Sequence, residues 1–360
     1  MSLRERLAER IGAEGPIDVS TYMDVCLHDP ADGYYATRPR LGEPGDFITA
    51  PHLSQMFGEL IGLWSAEIWS QLGRPPRVLL IELGPGDGKM MGDMLRAAAA
   101  APGFLQACEV WLVETSGPLK AVQQAALADA RAPVRWAEDY DDLPRDAPVI
   151  LVANEFLDCL PIRQFVRTQQ GWSERRVGAD EAGALTFTTL PGKPDDIGCL
   201  DWVGLAEGAV VEVSRPLTDL AVAIGGWIVR AAGAALFIDY GRSRRETGDT
   251  LQAVRGHVAE HPLANPGRAD LTAHVDFPAF AAAARAAGAR VAPIATQRDF
   301  LRDLGIDKRA AALAAANPGR AATIGRQRDR LIGADRMGDL FKVVCVHSAG
   351  LSPPGLGDPR

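Results

Sequence analysis

Along the middle of the chain, apolar residues follow two patterns: short continuous runs, and spacing of three or four residues. Val78–Leu83 and Val149–Ala153 are short, nearly continuous apolar runs, which predict strands buried on both faces of a sheet. Lys89–Ala101 has apolar residues at three- and four-residue spacing, which predicts a helix. Further strands and helices are predicted at Val110–Val113, Leu119–Ala130 and Ala234–Ile238. Such alternation is typical of parallel strands joined by right-handed crossovers.

Two regions depart from this alternation. Before residue 76 the pattern is mostly helical, and between residues 162 and 215 it consists of short runs of mixed polarity separated by Gly, Pro and Asp. These runs predict an antiparallel insertion with strands at Gln164–Thr168, Trp172–Val177, Leu185–Thr189 and Val210–Val213. A last strand is predicted at Phe341–Val346, with Arg290–Ile294 as its partner.

The expected domain organisation follows from these patterns. A helical N-terminal segment occupies residues 1–75 and includes a cofactor-covering loop. An α/β core is formed by 76–161 together with 216–350, the antiparallel insertion is 162–215, and 351–360 is a flexible tail.

Composition narrows the class of protein. The 360 residues include 38 basic and 46 acidic ones, a net charge of −8, which disfavours nonspecific binding to nucleic acid. No apolar run approaches the roughly 20 residues that span a bilayer, so stable membrane insertion is not expected. The five cysteines are scattered and never form a CxxC pair, which favours a reducing compartment, and the expected location is the cytoplasm. His257 and His261 lack an acidic partner, so no metal site is expected.

The most informative motif follows the first predicted strand. Glu82 ends the apolar run, and Gly84-Pro85-Gly86-Asp87-Gly88 leads directly into a helix. Glycines let a ligand approach the backbone, and an open α/β sheet binds its ligand at the carboxyl ends of the strands. Lys89 stands where a dinucleotide fingerprint has its third glycine, which disfavours a nicotinamide-dependent oxidoreductase but leaves it as a rival. A carboxylate before the loop suits a ligand with a cationic amino group.

Other acidic and polar residues are candidates for the same ligand. Glu114 ends the second strand, where a carboxylate can accept hydrogen bonds from both ribose hydroxyls of a nucleoside. Glu138 and Asp139 follow Trp136 and could lie near an adenine, although an exposed turn is an alternative. The glycine-rich loop from Gly42 to Pro51 carries Asp46 and Thr49 and is expected to fold over the cofactor.

The segment after the third parallel strand is the candidate reactive wall. Asn154, Glu155 and Asp158 lie within Asn154–Asp158, directly after a predicted buried strand. We predict that Glu155, supported by Asp158 and Asn154, orients a cationic substrate group on this wall. A helix-capping segment is the structural alternative.

Taken in order, these motifs resemble one family of class I S-adenosylmethionine-dependent methyltransferases, the MidA-like proteins. The resemblance rests on the blocks Gly45–Pro51, Phe57–Ile61, Glu82–Gly88, Asn154–Asp158, Ile238–Gly241 and Asp270–Phe277. It implies an α/β fold, the Rossmann-like seven-stranded sheet of class I methyltransferases, with a helical N-terminal segment and an antiparallel β insertion. It also implies S-adenosyl-L-methionine as cofactor, with Gly84, Gly86 and Gly88 around its methionine part and Glu114 at its ribose.

The resemblance further implies a function. The family includes a mitochondrial arginine methyltransferase needed for respiratory complex I assembly, so the expected reaction is methylation of a protein arginine, with a subunit of the NADH:quinone oxidoreductase as the expected partner. Two alternatives remain: a small-molecule methyltransferase, and a non-catalytic assembly factor that retains the fold.

Overall fold

A computed structural model describes residues 1–37, 49–192 and 204–357. The strands are β1 (Ile17–Asp18), β2 (Val78–Leu83), β3 (Cys108–Val113), β4 (Val134–Ala137), β5 (Val149–Asn154), β6 (Arg163–Thr168), β7 (Gly171–Ala179), β8 (Leu185–Pro191), β9 (Val210–Val213), β10 (Gly233–Arg242), β11 (Gln252–Arg255), β12 (Val258–Glu260), β13 (Asp270–Thr272), β14 (Val275–Asp276), β15 (Arg290–Val291), β16 (Ala295–Thr296) and β17 (Phe341–His347).

The helices frame these strands along the whole chain. They are α1 (Leu3–Glu14), α2 (Val19–His28), α3 (Tyr34–Thr37), α4 (Ala50–Leu53), α5 (Gln55–Gln71), α6 (Lys89–Ala98), α7 (Phe104–Ala107), α8 (Gly117–Ala126), α9 (Arg215–Ala231), α10 (Phe277–Ala286), α11 (Gln297–Asp303), α12 (Ile306–Ala316), α13 (Ala321–Ile332) and α14 (Met337–Leu340).

The central sheet has seven strands along its main path, in the order β15-β17-β10-β5-β2-β3-β4. Strands β10, β5, β2, β3 and β4 run parallel, whereas β17 is antiparallel to β10. The chain moves outward from β2 through β3 to β4 and then returns to β5 on the other side of β2. This reversal places the switch point of the sheet between the carboxyl ends of β2 and β5, where α/β proteins bind ligands. The predicted fold class is confirmed.

A second sheet forms from the segment predicted as an antiparallel insertion. Strands β6, β7, β8 and β9 pair antiparallel, and β1 from the N-terminal segment pairs with β7. Apolar side chains of α1 and α2 share one buried cluster with Ile162, Val177 and Leu271. The N-terminal helices are therefore held against the insertion and β13, next to the ligand-binding edge of the main sheet.

Core packing also reaches both ends of the described chain. Leu351 and Leu356, in the segment expected to be a flexible tail, are buried against the main core, while 358–360 lie outside the described residues.

Glu59 on α5 accepts hydrogen bonds from Arg96 and Arg309, which ties α5 to α6 and α12. Helix α5, which precedes β2 in the chain, is thus fixed by both neighbouring helices.

Helices α5 and α6 pack so closely that a glycine is needed at their contact. A Cβ at Gly62 would lie 2.7 Å from Met94 Cα, closer than real Cβ contacts allow. We expect Gly62→Ala to lower the free energy of unfolding by about 1–3 kcal/mol, because an overpacked core must shift. Urea unfolding followed by circular dichroism measures it.

A second helical glycine provides the matched control. Gly325 on α13 has no atom within 4 Å of the position of its Cβ, so Gly325→Ala should stabilise the protein slightly, by about 0.5–1 kcal/mol. Equal unfolding midpoints for Gly62→Ala and Gly325→Ala would contradict the packing argument.

Candidate active site

A cavity of about 390 Å³ opens at the switch point between β2 and β5. This volume is typical of small-molecule sites. The loops after β2, β3 and β5 line it, together with residues from α2, α3 and α4 and from the ends of β10 and β13. One concave site therefore collects side chains from the main sheet and from the N-terminal helices.

The glycine loop after β2 has a backbone that other residues resist. Gly84 and Gly86 have φ values of +61° and +58°, in the left-handed region that favours glycine. A Cβ at Gly84 would lie 2.9 Å from the ring of Phe156, so a side chain there would press into the opposite wall. The loop thus leaves room for a ligand to approach the main chain.

Glu82 is a buried carboxylate with an unsatisfied oxygen. Its side chain lines the cavity, it is 2% exposed, and its Oε2 has no hydrogen-bond partner among the described residues. Burial, with Asp87 nearby, raises the pKa of Glu82 well above its usual range. An unpaired buried acceptor is costly, so this position fits a ligand that brings a cation or a hydrogen-bond donor.

Glu114 is held in place by a partner that the sequence patterns did not reveal. Gln123 is fully buried and donates from Nε2 to Glu114 Oε2 at 3.1 Å and to the Gly86 carbonyl at 2.7 Å. Trp136 Nε1 donates to Gln123 Oε1 at 2.9 Å. Glu114 also accepts from the Ser116 amide, and burial raises the pKa of Glu114. Gln123 therefore locks the glycine loop to the candidate ribose acid.

The residues predicted near an adenine divide between cavity and surface. Glu138 and Asp139 border the cavity, but the Glu138 side chain is largely exposed and pairs with Lys120. Trp136 lies in strand β4 rather than in an exposed turn, and its indole N–H donates to Gln123. It does not line the cavity. The aromatic ring that does line this side is Tyr140, which the sequence analysis did not single out.

Asp87 is already engaged by the protein. Its carboxylate accepts from the Lys89 amide at the start of α6 and meets His52 Nε2 at 2.8 Å. His52 Nδ1 in turn lies 2.8 Å from Thr49 Oγ1. Burial alone would raise the pKa of Asp87, but the bond to His52, the charge of His52 and the amide and charge of Lys89 together outweigh burial, and the pKa is lowered. Thr49 borders the cavity as predicted, whereas Asp46 lies outside the described residues.

Gly88 caps the start of α6 and does not line the cavity. It is the N-cap of α6 in the left-handed conformation, with φ of +82°, and its Cβ position lies 3.4 Å from Gln123 Cα. A side chain at this position would be strained and would crowd α8. Among the predicted cofactor residues that the structure describes, it alone is missing from the cavity wall.

The segment after β5 carries backbone strain at its central acid. Glu155 has φ of +52°, which is uncommon outside glycine, and strained positions cluster at functional sites. Its Oε1 accepts from the Ala50 amide at 3.1 Å and from Asn154 Nδ2 at 2.9 Å. Burial raises the pKa of Glu155 to about 7. A carboxyl poised in this range can exchange a proton at neutral pH.

Asp158 and Asp239 complete a carboxyl cluster on this wall. Asp239 Oδ2 accepts from the amides of Phe156, Leu157 and Asp158 at 2.8–3.2 Å, which fixes the turn that carries Glu155. Burial raises the pKa of Asp158 to about 6, and burial with Asp158 and Glu155 nearby raises that of Asp239. The sequence analysis quoted Asp239 in a motif but gave it no role.

The charged residues that line the cavity indicate which ligands it favours. Its described lining contains no lysine or arginine but eight acidic residues: Glu82, Asp87, Glu114, Glu138, Asp139, Glu155, Asp158 and Asp270. Such a lining favours cations and rejects phosphates. The orphaned Glu82 oxygen and the glycine cradle fit S-adenosylmethionine, which carries an ammonium group, a sulfonium and ribose hydroxyls. Glu82 would hold the ammonium and Glu114 the ribose.

The order of the sheet and this acid-lined glycine-loop site define the class: S-adenosylmethionine-dependent methyltransferases. Residues 60–295 match the profile of the family described as "Putative S-adenosyl-L-methionine-dependent methyltransferase". The chain belongs to this family, and the predicted enzyme class and cofactor are confirmed. The rival nicotinamide-dependent oxidoreductase is set aside.

Relatives and solved structures agree over nearly the whole chain. The Danio rerio protein arginine methyltransferase NDUFAF7, mitochondrial, is 34% identical, covering 96% of this chain and 86% of the relative. The Homo sapiens protein of the same name is 34% identical, covering 93% and 81%. A crystal structure from Burkholderia thailandensis with bound S-adenosylhomocysteine is 30% identical with a TM-score of 0.88, covering 98% of this chain and 94% of that one.

The expected cytoplasmic location is wrong. The finding that overturns it is that the relatives are named as mitochondrial proteins. Unpaired cysteines indicate only a reducing environment, so they did not discriminate between compartments. None of the described helices is long and apolar enough to cross a membrane.

We expect cofactor binding to depend on pH through Glu82. Because its pKa is raised in the free protein, pairing with the ligand's ammonium group requires loss of a proton. We expect S-adenosylhomocysteine affinity to rise with pH until the free-state pKa is passed, with protons released on binding. Titration calorimetry in buffers of different ionisation enthalpy measures that release.

Replacing the carboxylate should remove both effects. Glu82→Gln is expected to weaken binding by about ten- to a hundredfold, the range for a hydrogen bond to a charged group, and to abolish proton release. Glu67→Gln, an exposed change on α5, serves as control. Unchanged proton release in Glu82→Gln would assign the titration to another group.

Proposed function

We propose that this methyltransferase methylates an arginine side chain of a protein, and that the acceptor is a subunit or assembly intermediate of respiratory complex I. The observation that carries the proposal is the acid-lined cavity, which suits a guanidinium, together with relatives named as protein arginine methyltransferases. The complex I assignment rests on the family resemblance of the sequence motifs.

The wall after β5 supplies the chemistry that arginine requires. Bound S-adenosylmethionine supplies an electrophilic methyl group on a sulfonium. A guanidinium is a poor nucleophile because its pKa is above about 12 and its lone pairs are delocalised. Glu155 and Asp158 would pair with it, fix one nitrogen in line with the methyl and draw positive charge from that nitrogen. As the S–C bond breaks and the N–C bond forms, the nitrogen loses a proton, which Glu155 accepts.

Asn154 has a supporting place in this scheme. Its Nδ2 donates to Glu155 Oε1, and its Oδ1 is buried without a hydrogen-bond partner among the described residues. An unsatisfied amide oxygen on the cavity wall can accept from a guanidinium N–H. The alternative in which this segment only caps a helix is disfavoured, because no α-helix begins there.

A labelling experiment tests the function. The protein is incubated with S-adenosylmethionine carrying an isotopic methyl and a lysate of host mitochondria, and labelled proteins are digested and analysed by mass spectrometry. We expect labelled methylarginine in a complex I subunit. Label confined to small molecules would establish the small-molecule alternative, and no transfer with intact cofactor binding would favour a non-catalytic assembly factor.

Glu155→Gln tests the role of the central acid. The change keeps the side-chain shape and removes the charge, so cofactor affinity should persist while transfer falls by about 10²-fold or more. Wild-type kcat/KM should rise with pH through about 7 as Glu155 loses its proton, and this limb should vanish in the variant.

A stability measurement separates this role from a structural one. Burial disfavours the charged carboxylate of Glu155, so the wild type loses stability as pH rises toward about 7. Glu155→Gln has no carboxylate to ionise and should therefore melt no lower than wild type at pH 8.

The transfer rate gives the contradicting outcome. Wild-type transfer rates in Glu155→Gln would show that the acceptor is held elsewhere. Glu67→Gln again provides the control.

A further inference from the structure

One side of the cavity is built by residues to which the proposed reaction has so far given no role. Tyr34 and Tyr35 on α3, Tyr240 at the end of β10 and Asp270 at the start of β13 line it, with His28 at the rim. They lie beside Asp158, and the Asp158 carbonyl accepts from the Ala273 amide, which ties the reactive wall to β13.

Tyr35 and Asp270 form a bonded pair on this side. The Tyr35 hydroxyl donates to Asp270 Oδ1 at 2.9 Å. Burial, with Asp270 and Asp158 nearby, raises the pKa of Tyr35 well above its usual range, so the phenol stays neutral and its proton remains on the hydroxyl. The pair therefore fixes one carboxylate against the edge of an aromatic layer in which the rings of Tyr34 and Tyr35 meet at 77°.

A second, independent observation points to a ligand here. The Tyr240 hydroxyl is buried, with the residue 8% exposed; the side chains of Asp158 and Thr272 lie beside it, but neither forms a well-aligned hydrogen bond with it within the described part of the chain. Tyr240 lines the cavity and packs edge-on against His274. A buried hydroxyl without a partner is costly, and a ligand in this part of the cavity would satisfy it.

We propose that Tyr34, Tyr35, Tyr240 and Asp270 form an acceptor subsite that selects a planar guanidinium over a neutral or point-charge side chain. The subsite rests on the proposed function and adds its specificity determinants. A guanidinium presents five donors in a plane and stacks on aromatic faces. Two carboxylates, Asp270 and Asp158, line the cavity together with these aromatic rings and suit such a group, whereas a lysine ammonium has no planar face to stack.

The placement of the subsite explains why the N-terminal helices belong to the enzyme. Tyr34 and Tyr35 precede residue 60, where the family-profile match begins, and they reach the cavity because α1 and α2 pack against β7 and β13. The cofactor side is built by loops of the main sheet, and the selective side by a separate layer. Asp270 and Tyr35 are positioning and specificity residues, while Glu155 remains the acid at the reacting nitrogen.

Probe binding tests the subsite without knowledge of the natural protein acceptor. The protein is saturated with S-adenosylhomocysteine and titrated by NMR with the peptide Gly-Gly-Arg-Gly-Gly and with its citrulline and lysine counterparts. We expect the arginine peptide to bind at least tenfold more tightly than either counterpart. Asp270→Asn should weaken arginine binding by about ten- to a hundredfold, and Tyr35→Phe by less, with S-adenosylhomocysteine affinity unchanged in both.

Controls make each outcome decisive. Asp303→Asn, an exposed change on α11, should bind every peptide as wild type does. Melting temperatures and S-adenosylhomocysteine affinity verify that the variants are folded. Equal binding of the arginine and citrulline peptides, no arginine binding, or an undiminished affinity in Asp270→Asn would each overturn the subsite.

The labelling experiment separates this failure from failure of the proposed function. If labelled methylarginine forms at wild-type kcat and KM in Asp270→Asn, the function stands and the subsite is wrong. If the label is found on another kind of acceptor, the proposed function is wrong whatever the peptides do. A rise in KM with little change in kcat for Asp270→Asn supports selection in binding rather than a role at the reacting atoms.

Discussion

The active site depends on one buried carboxylate. Asp239, at the end of β10, accepts three successive backbone N–H groups of the turn after β5, and its other oxygen accepts from the Tyr240 amide. Without it those amides would be unpaired in the interior, at a cost of about 1–3 kcal/mol each. The interaction holds the turn so that Glu155 adopts its left-handed backbone and faces the cavity. It also joins the two strands whose ends bear the reactive wall.

The same arrangement places three carboxyl groups near one another, so their ionised forms repel. Glu155, Asp158 and Asp239 lie close together and are buried, which disfavours ionisation of all three carboxyl groups at once. Burial raises the pKa of Glu155 to about 7 and that of Asp158 to about 6, so their protons are held loosely at neutral pH. The cationic acceptor proposed above would lower the free energy of the ionised forms on entry. Binding of the acceptor and preparation of a proton acceptor are therefore coupled.

Local sequence patterns predicted the strands and loops that form this site. The apolar run of β2 and the glycines behind it specify a buried strand and a ligand loop within about a dozen residues, and β5 with its acidic turn is equally local. Asp239 and Gln123 were missed because their partners lie far away in sequence, as with Asp239 and Phe156. Their only signals were an acid inside a ten-residue buried strand and a glutamine on the inner face of a helix. Neither signal names a partner.

The two halves of the cavity differ in how they are built, and this difference bears on how function is divided. The cofactor half uses main-chain geometry and acids at the ends of β2 and β3, with Gln123 as the tertiary contact that fixes one of them. The acceptor half requires α3 to be brought to β13, which depends on the packing of α1 and α2 around Tyr22 and Leu271. Substitutions in that outer layer can change which acceptor fits while the cofactor loops stay unaltered. With the subsite proposed above, selectivity for the methyl acceptor would be determined by tertiary packing, and the use of S-adenosylmethionine by the ends of β2 and β3.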